Sequence, residues 1–192
     1  MIADLQMSRR IRRTHFTSCV EELGVSGFTV VNHTLLPKSF SNSVEEDFYH
    51  LRNDVQIWDV GCQRQVEIEG PDALSLVQMM TPRNIANAQV GQCLYLALTT
   101  DKGKIINDPV MLKLSDEKIW LSIADSDIFL WAKALAIGLG LKVTVKEPDV
   151  SPLAVQGPAA KDLMVEIFGK QVEELGFFRF RPLDFESTKQ IV

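Results

Sequence analysis

Asp108 is the residue of this chain whose type and position most suggest chemistry. Residues 95–108 consist of an apolar run, an Asp-Lys-Gly sequence at 101–103, and a second apolar run, which is the pattern of a β-hairpin. Asp108 ends this hairpin between apolar neighbours and precedes Pro109. The Asn-Asp-Pro sequence at 107–109 is typical of turns, so one interpretation is a turn residue. The other is a carboxylate placed at the mouth of a pocket by a rigid hairpin, and these residues alone leave both open.

The remaining reactive side chains indicate neither a metal site nor a disulfide framework. Cys19, Cys62 and Cys93 are widely spaced, and no Cys-x-x-Cys pair occurs. Reduced thiols in a cytoplasmic protein are the simplest explanation. The histidines have no metal-ligand spacing and are interpreted as structural or surface residues; they are His15, His33 and His50. The three tryptophans are predicted to lie in the core; they are Trp58, Trp120 and Trp131.

Charge and hydropathy exclude several classes of partner. The net charge of −5 gives no reason to expect nucleic-acid binding. Four arginines near the N-terminus are interpreted as a solvated arm, with a targeting segment or a phosphate contact as alternatives; they are Arg9, Arg10, Arg12 and Arg13. The longest apolar stretch, residues 129–141, is interrupted by Lys133 and is too short to span a bilayer. The oligomeric state stays open.

Hydrophobic periodicity predicts helices and strands in mixed order. Residues 43–53 and 127–139 are predicted to be helices, the first with an Asn or Ser cap, and 171–175 a short helical turn. Residues 1–27 show no sustained period. The predicted strands are 28–34 (ended by Pro37), 57–60, 65–69, 109–114, 118–123, 141–146, 177–180 and 183–185. Residues 188–192 are a β-prone run at which we expect the chain to be cut within a strand.

A strand, a Gly-Pro pair and a helix occur in succession twice. The first copy spans residues 66–77 around Gly70-Pro71, and the second spans 153–164 around Gly157-Pro158. Glycine permits an unusual backbone turn, and proline suits the start of a helix. A phosphate-binding loop is the functional alternative, but neither copy has a second glycine or a P-loop lysine. The two copies indicate a repeated β-α unit within one fold. The mixed order of strands and helices, with adjacent hairpins, predicts the α+β class with mixed or antiparallel sheets, covered by helices that include residues 73–80 and 127–139.

Residues 54–180 resemble the folate-binding aminomethyltransferase family, which includes the T-protein of glycine cleavage. The motifs that carry the resemblance are Trp-Asp-Val at 58–60, the first Gly-Pro unit at 66–73, Tyr95, residues 101–108, and Ala-Val-Gln-Gly-Pro at 154–158. Within this family the chain is more similar to the dimethylsulfoniopropionate demethylases. That similarity extends over the whole chain through Ser-Arg-Arg at 8–10, Val-Asn-His at 31–33, Leu-Leu-Pro at 35–37, Glu-Glu-Asp at 45–47, Arg-Gln-Val-Glu-Ile at 64–68, Asn-Asp-Pro at 107–109, residues 122–127 and Glu-Pro-Asp at 147–149.

The resemblance implies a function and a site. Its members bind tetrahydrofolate, and the family's principal functional carboxylate falls on Asp108, which would be the catalytic residue and contact the pterin. The tyrosine that lines the same cavity falls on Tyr95. A sulfonium substrate would donate a methyl group to the folate, and Tyr95, Trp58 and Trp120 are candidates to face that cation. The chain would be the N-terminal portion of the folate-binding domain over residues 1–192, and we expect it to be inactive alone.

Two other functions remain open at this point. Aminomethyl transfer in glycine cleavage is the first alternative. That branch of the family usually has two adjacent aspartates where this chain has Asn107 and Asp108. A non-catalytic folate-binding scaffold is the other alternative. Relatives of that kind carry a Lys-Gly-Cys motif, whereas this chain reads Lys-Gly-Lys at 102–104, which favours methyl transfer.

Overall fold

A five-stranded antiparallel sheet organises the described part of the chain, with strand order β10-β4-β9-β8-β5. The computed structural model describes residues 10–123 and 127–192. Five α-helices occur in these residues: α1 (Thr17–Glu22), α2 (Val44–Asn53), α3 (Ala73–Met80), α4 (Ile128–Gly138) and α5 (Ala160–Phe168). A 3₁₀ helix covers Lys170–Glu174, where the short helical turn was predicted. The strands are β1 (Gly27–Val31), β2 (Thr34–Ser39), β3 (Gln56–Asp59), β4 (Gln65–Glu69), β5 (Cys93–Tyr95), β6 (Leu98–Thr99), β7 (Ile105–Asn107), β8 (Val110–Lys113), β9 (Lys118–Ser122), β10 (Thr144–Lys146), β11 (Leu153–Gln156), β12 (Pro182–Phe185) and β13 (Thr188–Ile191).

One face of the central sheet forms the hydrophobic core. Successive side chains of a strand point to opposite faces, so alternate residues share a face. The core face carries Val66, Met111 and Leu121 on neighbouring strands, and each is fully buried. Helices α3 and α4 pack against this face and contribute buried residues such as Leu76 and Ala132. The predicted α+β class, with antiparallel sheets covered by helices, is therefore confirmed.

Both Gly-Pro pairs lie at strand-to-helix junctions, as the repeat predicts. The first follows β4 and leads into α3, and the second follows β11 and leads into α5. Gly70 and Gly157 have positive φ angles of 142° and 124°. A Cβ on either glycine would lie 2.3 Å from a backbone carbonyl oxygen, that of Lys142 or of Asp54. Glycine is therefore required at both positions by conformation and by space.

Each Gly-Pro unit is preceded in sequence by a helix followed by a strand, which we call an arm. The strand of each arm pairs with the other Gly-Pro unit and not with the one that follows it in sequence. Arm α2-β3 precedes the first unit in sequence, yet β3 pairs with β11 of the second unit. Arm α4-β10 precedes the second unit, yet β10 pairs with β4 of the first. We call α4-β10 with β4-α3 the sheet half, because it belongs to the central sheet. We call α2-β3 with β11-α5 the ribbon half, because its two strands form a sheet of their own.

Most predicted elements are confirmed, two predicted strands are wrong, and one helix was not predicted. The predicted strand 28–34 is a hairpin, because Asn32 and His33 adopt positive φ and reverse the chain between β1 and β2. Pro37 lies within β2, a strand with one partner, where its missing N–H is tolerated. Residues 177–178 form a turn, with Phe178 at positive φ, so the predicted strand 177–180 is reduced to a bridge at Arg179. Helix α1 lies in a segment for which no helix was predicted.

Arg12 and Arg13 are folded against the rest of the chain and do not form a free arm. Arg12 forms an ion pair with Glu147, and Arg13 forms one with Glu21. The backbone of Arg12 also pairs with β2 at Thr34. The interpretation of a solvated arm is therefore wrong for these two residues. Arg9 and residues 124–126, which entered the sequence comparison, lie outside the described residues.

The predicted burial of the tryptophans is wrong for two of the three. Trp58 is 43% exposed on β3, and Trp131 is 38% exposed on α4. Trp120 is half-buried and donates its indole N–H to Glu67 Oε2. Tryptophan combines a large apolar body with one N–H group, and these side chains lie where the sheets and helices have solvent on one side.

Candidate functional site

Tyr95 and Asp108 face each other where a long β-ribbon bends. Strands β5 and β8 pair in the central sheet, and their extensions β6 and β7 pair in a sheet of their own. The bend lies between the two pairings, at residues 96–97 on one side and 108–109 on the other. The Leu96 N–H donates to the Pro109 carbonyl at 2.9 Å and keeps the two sides together. The reversal itself occurs at residues 100–104, so Asp108 is not the turn residue of this hairpin.

A hydrogen bond joins the two side chains directly. The Tyr95 hydroxyl donates to Asp108 Oδ2 at 2.5 Å. This bond, together with the carboxylate charge, raises the pKa of the Tyr95 phenol. At neutral pH the Tyr95 hydroxyl therefore keeps its proton and donates it in this hydrogen bond. Both residues are exposed, and Tyr95 is the one side-chain donor that the described residues bring to this carboxylate. Asp108 keeps acceptor capacity for N–H donors of a ligand.

Pairing register places Tyr95 on the face of the central sheet opposite the core. Tyr95 pairs with Val110, and Val110 pairs with Ser122. Ser122 in turn pairs with Gln65, whose side-chain amide donates to the Ser122 hydroxyl at 3.0 Å. Paired residues point to the same face, so these four form one row across the sheet. The row runs from the exposed Tyr95 to the buried Gln65.

The other residues considered for the site are placed differently. Trp120 shares the outer face of the sheet but occupies the next row, opposite Leu112. Trp58 belongs to the separate β3–β11 sheet. Asp101 is exposed at the hairpin turn, as the hairpin pattern predicts. The structure therefore brings together Tyr95 and Asp108, and neither tryptophan is in contact with that pair among the described contacts.

Arg83 is a neighbour of the pair that sequence reasoning missed. Its Nη1 donates to the Tyr95 carbonyl at 2.7 Å. The loop that carries it is held by Gln78 of α3, whose Nε2 donates to the Arg83 carbonyl at 2.9 Å and whose Oε1 accepts from the Ile85 N–H at 2.9 Å. The available signal was a Thr-Pro-Arg sequence directly after a predicted helix, and it does not point to a hairpin residue 12 positions away.

The Tyr95–Asp108 pair lies on open surface in the described residues. A depression of about 160 Å³ lies elsewhere, between the N-terminal segment and residues 147–151. Its lining includes Arg64, whose guanidinium is ion-paired with Glu147 and with Asp127. Arg12 joins the same network through Glu147. This network ties the N-terminal segment to the start of β4 and is separate from the Tyr95–Asp108 pair.

No helix among the described residues is long and apolar enough to cross a membrane. The longest of them, α4, has 11 residues.

The fold and the sequence both match known proteins. The fold is that of the glycine cleavage system aminomethyltransferase T from Bartonella henselae, with a TM-score of 0.78 and 21% identity over 88% of this chain and 47% of that chain. Residues 16–192 match the family model described as the GCVT N-terminal domain, and the chain belongs to this family. The family resemblance seen in the sequence is thereby confirmed.

Among curated relatives the chain is similar to a demethylase over its whole length. It is 46% identical to dimethylsulfoniopropionate demethylase DmdA from Ruegeria pomeroyi over 191 residues, which are 100% of this chain and 52% of that protein. It is 29% identical to an aminomethyltransferase from Bacillus mycoides over 149 residues, which are 76% of this chain and 40% of that protein. The chain thus spans about half the length of the curated relatives it matches.

Proposed function

We propose that this chain supplies the pterin-contacting surface of a tetrahydrofolate-dependent methyltransferase that demethylates dimethylsulfoniopropionate. The observation that carries the proposal is the 46% identity to DmdA over a match that covers 100% of the chain. Residues 1–192 would form the N-terminal portion of the folate-binding domain. The products would be methyltetrahydrofolate and methylmercaptopropionate.

The reaction requires alignment more than acid–base catalysis. The methyl carbon of a sulfonium forms a bond to nitrogen N5 while its bond to sulfur breaks, and the bonding electron pair leaves with a neutral thioether. N5 releases its proton to solvent. Because the leaving group is neutral, positioning and desolvation supply most of the rate enhancement. The chain's own residues would orient the acceptor and would not form a covalent intermediate.

Asp108 fits this orienting role. A reduced pterin presents N–H donors, and a carboxylate accepts them in charge-assisted hydrogen bonds. The Tyr95 hydroxyl holds Asp108 Oδ2 in place, which fixes the direction of the remaining acceptor sites. Leu96 and Pro109 connect the two backbones beside them, so the pair is positioned by the ribbon and not by flexible side chains alone.

The glycine-cleavage reaction is the second candidate function. The aminomethyltransferase from Bacillus mycoides is 29% identical over 76% of the chain, a weaker and shorter match than that to DmdA. An assay with dimethylsulfoniopropionate as the methyl donor, on a longer protein that contains this chain, discriminates between the two candidates. We expect no turnover by the 192 residues alone, because Asp108 lies on open surface and water would have access to the reacting atoms.

Ligand binding tests the proposal without requiring turnover. Amide chemical shifts of isotopically labelled chain would be followed during titration with 5-methyltetrahydrofolate. We expect Asp108→Asn to raise the Kd at least about 10-fold, because an amide oxygen replaces a charged acceptor. Asp101→Asn is the matched control, since it makes the same change at the exposed turn, and we expect less than about a twofold effect. Equal effects of the two substitutions would exclude Asp108 as the pterin contact.

A further inference from the structure

We propose that Arg83 binds a carboxylate of one of the two ligands in the proposed reaction, the folate or the sulfonium substrate. The inference rests on the proposed function and extends it to the anionic part of the ligands. Both have such a part: tetrahydrofolate ends in a glutamate with carboxylates, and dimethylsulfoniopropionate carries a propionate. The shared chemistry is an exposed carboxylate recognised by a guanidinium.

The guanidinium of Arg83 is available for such a contact. Arginine has five N–H donors, and the described structure uses one of them, on the Tyr95 carbonyl. Arg83 is exposed and forms no ion pair with the described residues. Four other arginines have a carboxylate partner, namely Arg12, Arg13, Arg64 and Arg181. Arg52 and Arg179 also form no ion pair with the described residues, but neither contacts the Tyr95–Asp108 pair through a described hydrogen bond. Arg83 is therefore a cation that the fold positions without neutralising.

The position of Arg83 is fixed by the sheet half of the molecule. Ile85, two residues on, is fully buried, and its N–H donates to Gln78 Oε1 of α3. Gln78 also holds the Arg83 carbonyl. The guanidinium, at the other end of Arg83, donates to the backbone carbonyl of Tyr95. A side chain held in this way loses little conformational entropy when it binds a ligand.

Geometry relates the guanidinium to the pterin contact. Arg83 holds Tyr95 by its backbone carbonyl, and Tyr95 reaches Asp108 with its hydroxyl. Tyr95 therefore contacts both the cation and the carboxylate. A ligand with an N–H-rich ring at one end and a carboxylate at the other could satisfy both groups. Asp108 would then bind the pterin ring of the folate. Arg83 would bind either the carboxylate end of the same folate or the carboxylate of a sulfonium substrate beside it.

The alternative is a purely structural role, in which Arg83 only stabilises an edge strand. Strand β5 is at the edge of the central sheet, and the arginine satisfies one of its carbonyl groups. That role predicts an effect on stability but none on the choice of ligand. The two roles are therefore separated by comparing ligands that have a carboxylate with ligands that lack one.

The experiment measures binding by the same amide titration, with Arg83→Gln and the control Arg52→Gln. Arg52 is an exposed arginine on α2, so its replacement makes the same change in charge. The probes are 5-methyltetrahydrofolate, the tail-less 5,6-dimethyltetrahydropterin, p-aminobenzoylglutamate and dimethylsulfoniopropionate. Thermal unfolding of each variant shows whether it remains folded, and Arg83→Lys keeps the charge if the glutamine variant does not fold.

The expected result is a loss of about 5-fold in affinity for 5-methyltetrahydrofolate and for p-aminobenzoylglutamate in Arg83→Gln, in the range of exposed charge pairs. The tail-less pterin should bind equally to both arginine variants. A loss confined to dimethylsulfoniopropionate would also support the proposal and would identify the propionate as the bound group. Equal Kd values in Arg83→Gln and Arg52→Gln for every carboxylate ligand would overturn it.

The results that would contradict the proposed function differ from those that would contradict the role of Arg83. If the tail-less pterin does not bind, or if Asp108→Asn leaves its Kd unchanged, the pterin assignment is wrong. Arg83 is then still judged by p-aminobenzoylglutamate, which needs no pterin contact. If no probe shifts any amide up to about 10 mM, a range that includes the weakest specific affinities, both proposals fail for this chain.

Discussion

The sheet half and the ribbon half have the same local structure and opposite burial. In both, a glycine with positive φ and a proline form the turn from strand to helix, and the glycine lies against the backbone of an incoming arm. Helix α3 buries four side chains, whereas α5 buries none. Helix α4 buries three, whereas α2 buries none. The turn is therefore set by local chemistry, and the burial is set by what lies beneath the helices.

The number of strands explains the difference. Five strands give α3 and α4 a broad apolar surface to cover. The ribbon half has two paired strands, β3 and β11, and two strands rarely form a stable core alone. Its apolar residues remain partly exposed, as Ile57 at 55% and Leu153 at 43% illustrate. The candidate site lies where β5 and β8 of the five-stranded sheet continue into β6 and β7. The site is therefore supported by the central sheet and not by the ribbon half.

Shortening a core leucine should give the largest contrast between the halves. Leu76→Ala in α3 removes a fully buried side chain, and we expect a loss of about 3 kcal/mol in the free energy of unfolding. Leu163→Ala in α5 removes a half-buried one and should cost less than about 1 kcal/mol. Urea denaturation with unchanged slope would measure both. Similar losses would mean that the ribbon half is packed as well as the sheet half.

Replacing the junction glycines should give a smaller contrast. Gly70→Ala forces a Cβ to within 2.3 Å of the Lys142 carbonyl oxygen at a positive φ, and about 2 kcal/mol of stability should be lost. Gly157→Ala meets the same contact at Asp54, but we expect the ribbon half to open locally. Hydrogen exchange would then show faster exchange at Trp58 and Ala154 with little change in the denaturation midpoint. A global shift as large as that of Gly70→Ala would contradict this picture.

The cap of α2 should give a local effect of about 1 kcal/mol. Ser43 and Glu46 form a capping box at its first turn. Since α2 buries no side chain, Ser43→Ala should reduce protection of α2 amides without changing the unfolding midpoint. Ser41→Ala, which removes an exposed hydroxyl two residues earlier and leaves the box intact, should leave exchange rates unchanged. A shift of the midpoint in the serine variant would show that α2 is coupled to the core.

Acid should weaken the sheet half through Glu67, the smallest of the expected effects. Burial raises the pKa of this carboxyl, but the Trp120 N–H and the charges of Lys146 and Lys118 prevail and lower it. Its contribution is therefore complete above the pKa of the unfolded chain and is lost as pH falls through the folded pKa. The stability difference between the wild type and Glu67→Gln should shrink between about pH 6 and pH 3. A constant difference over this range would exclude Glu67 as a source of the pH dependence.

The sequence by itself determined the elements that depend on neighbouring residues. The Gly-Pro junctions, the capped helix α2 and the turn at residues 100–104 follow from glycine, proline and capping side chains, whose effects act over a few bonds. Family resemblance added Tyr95, which no local pattern identifies as a ligand contact. The hairpin pattern alone identified Asp108 but left its role open.

Tertiary structure alone decided which faces are covered and which side chains meet. Trp58 and Trp131 are of a residue type typical of cores, yet the arrangement of sheets and helices leaves them partly exposed. The contact of Arg83 with Tyr95 arises because a loop after α3 returns to the edge of β5, a relation between distant segments that no spacing encodes. Burial and contact at these positions depend on strand order, and strand order is fixed only when the whole sheet assembles.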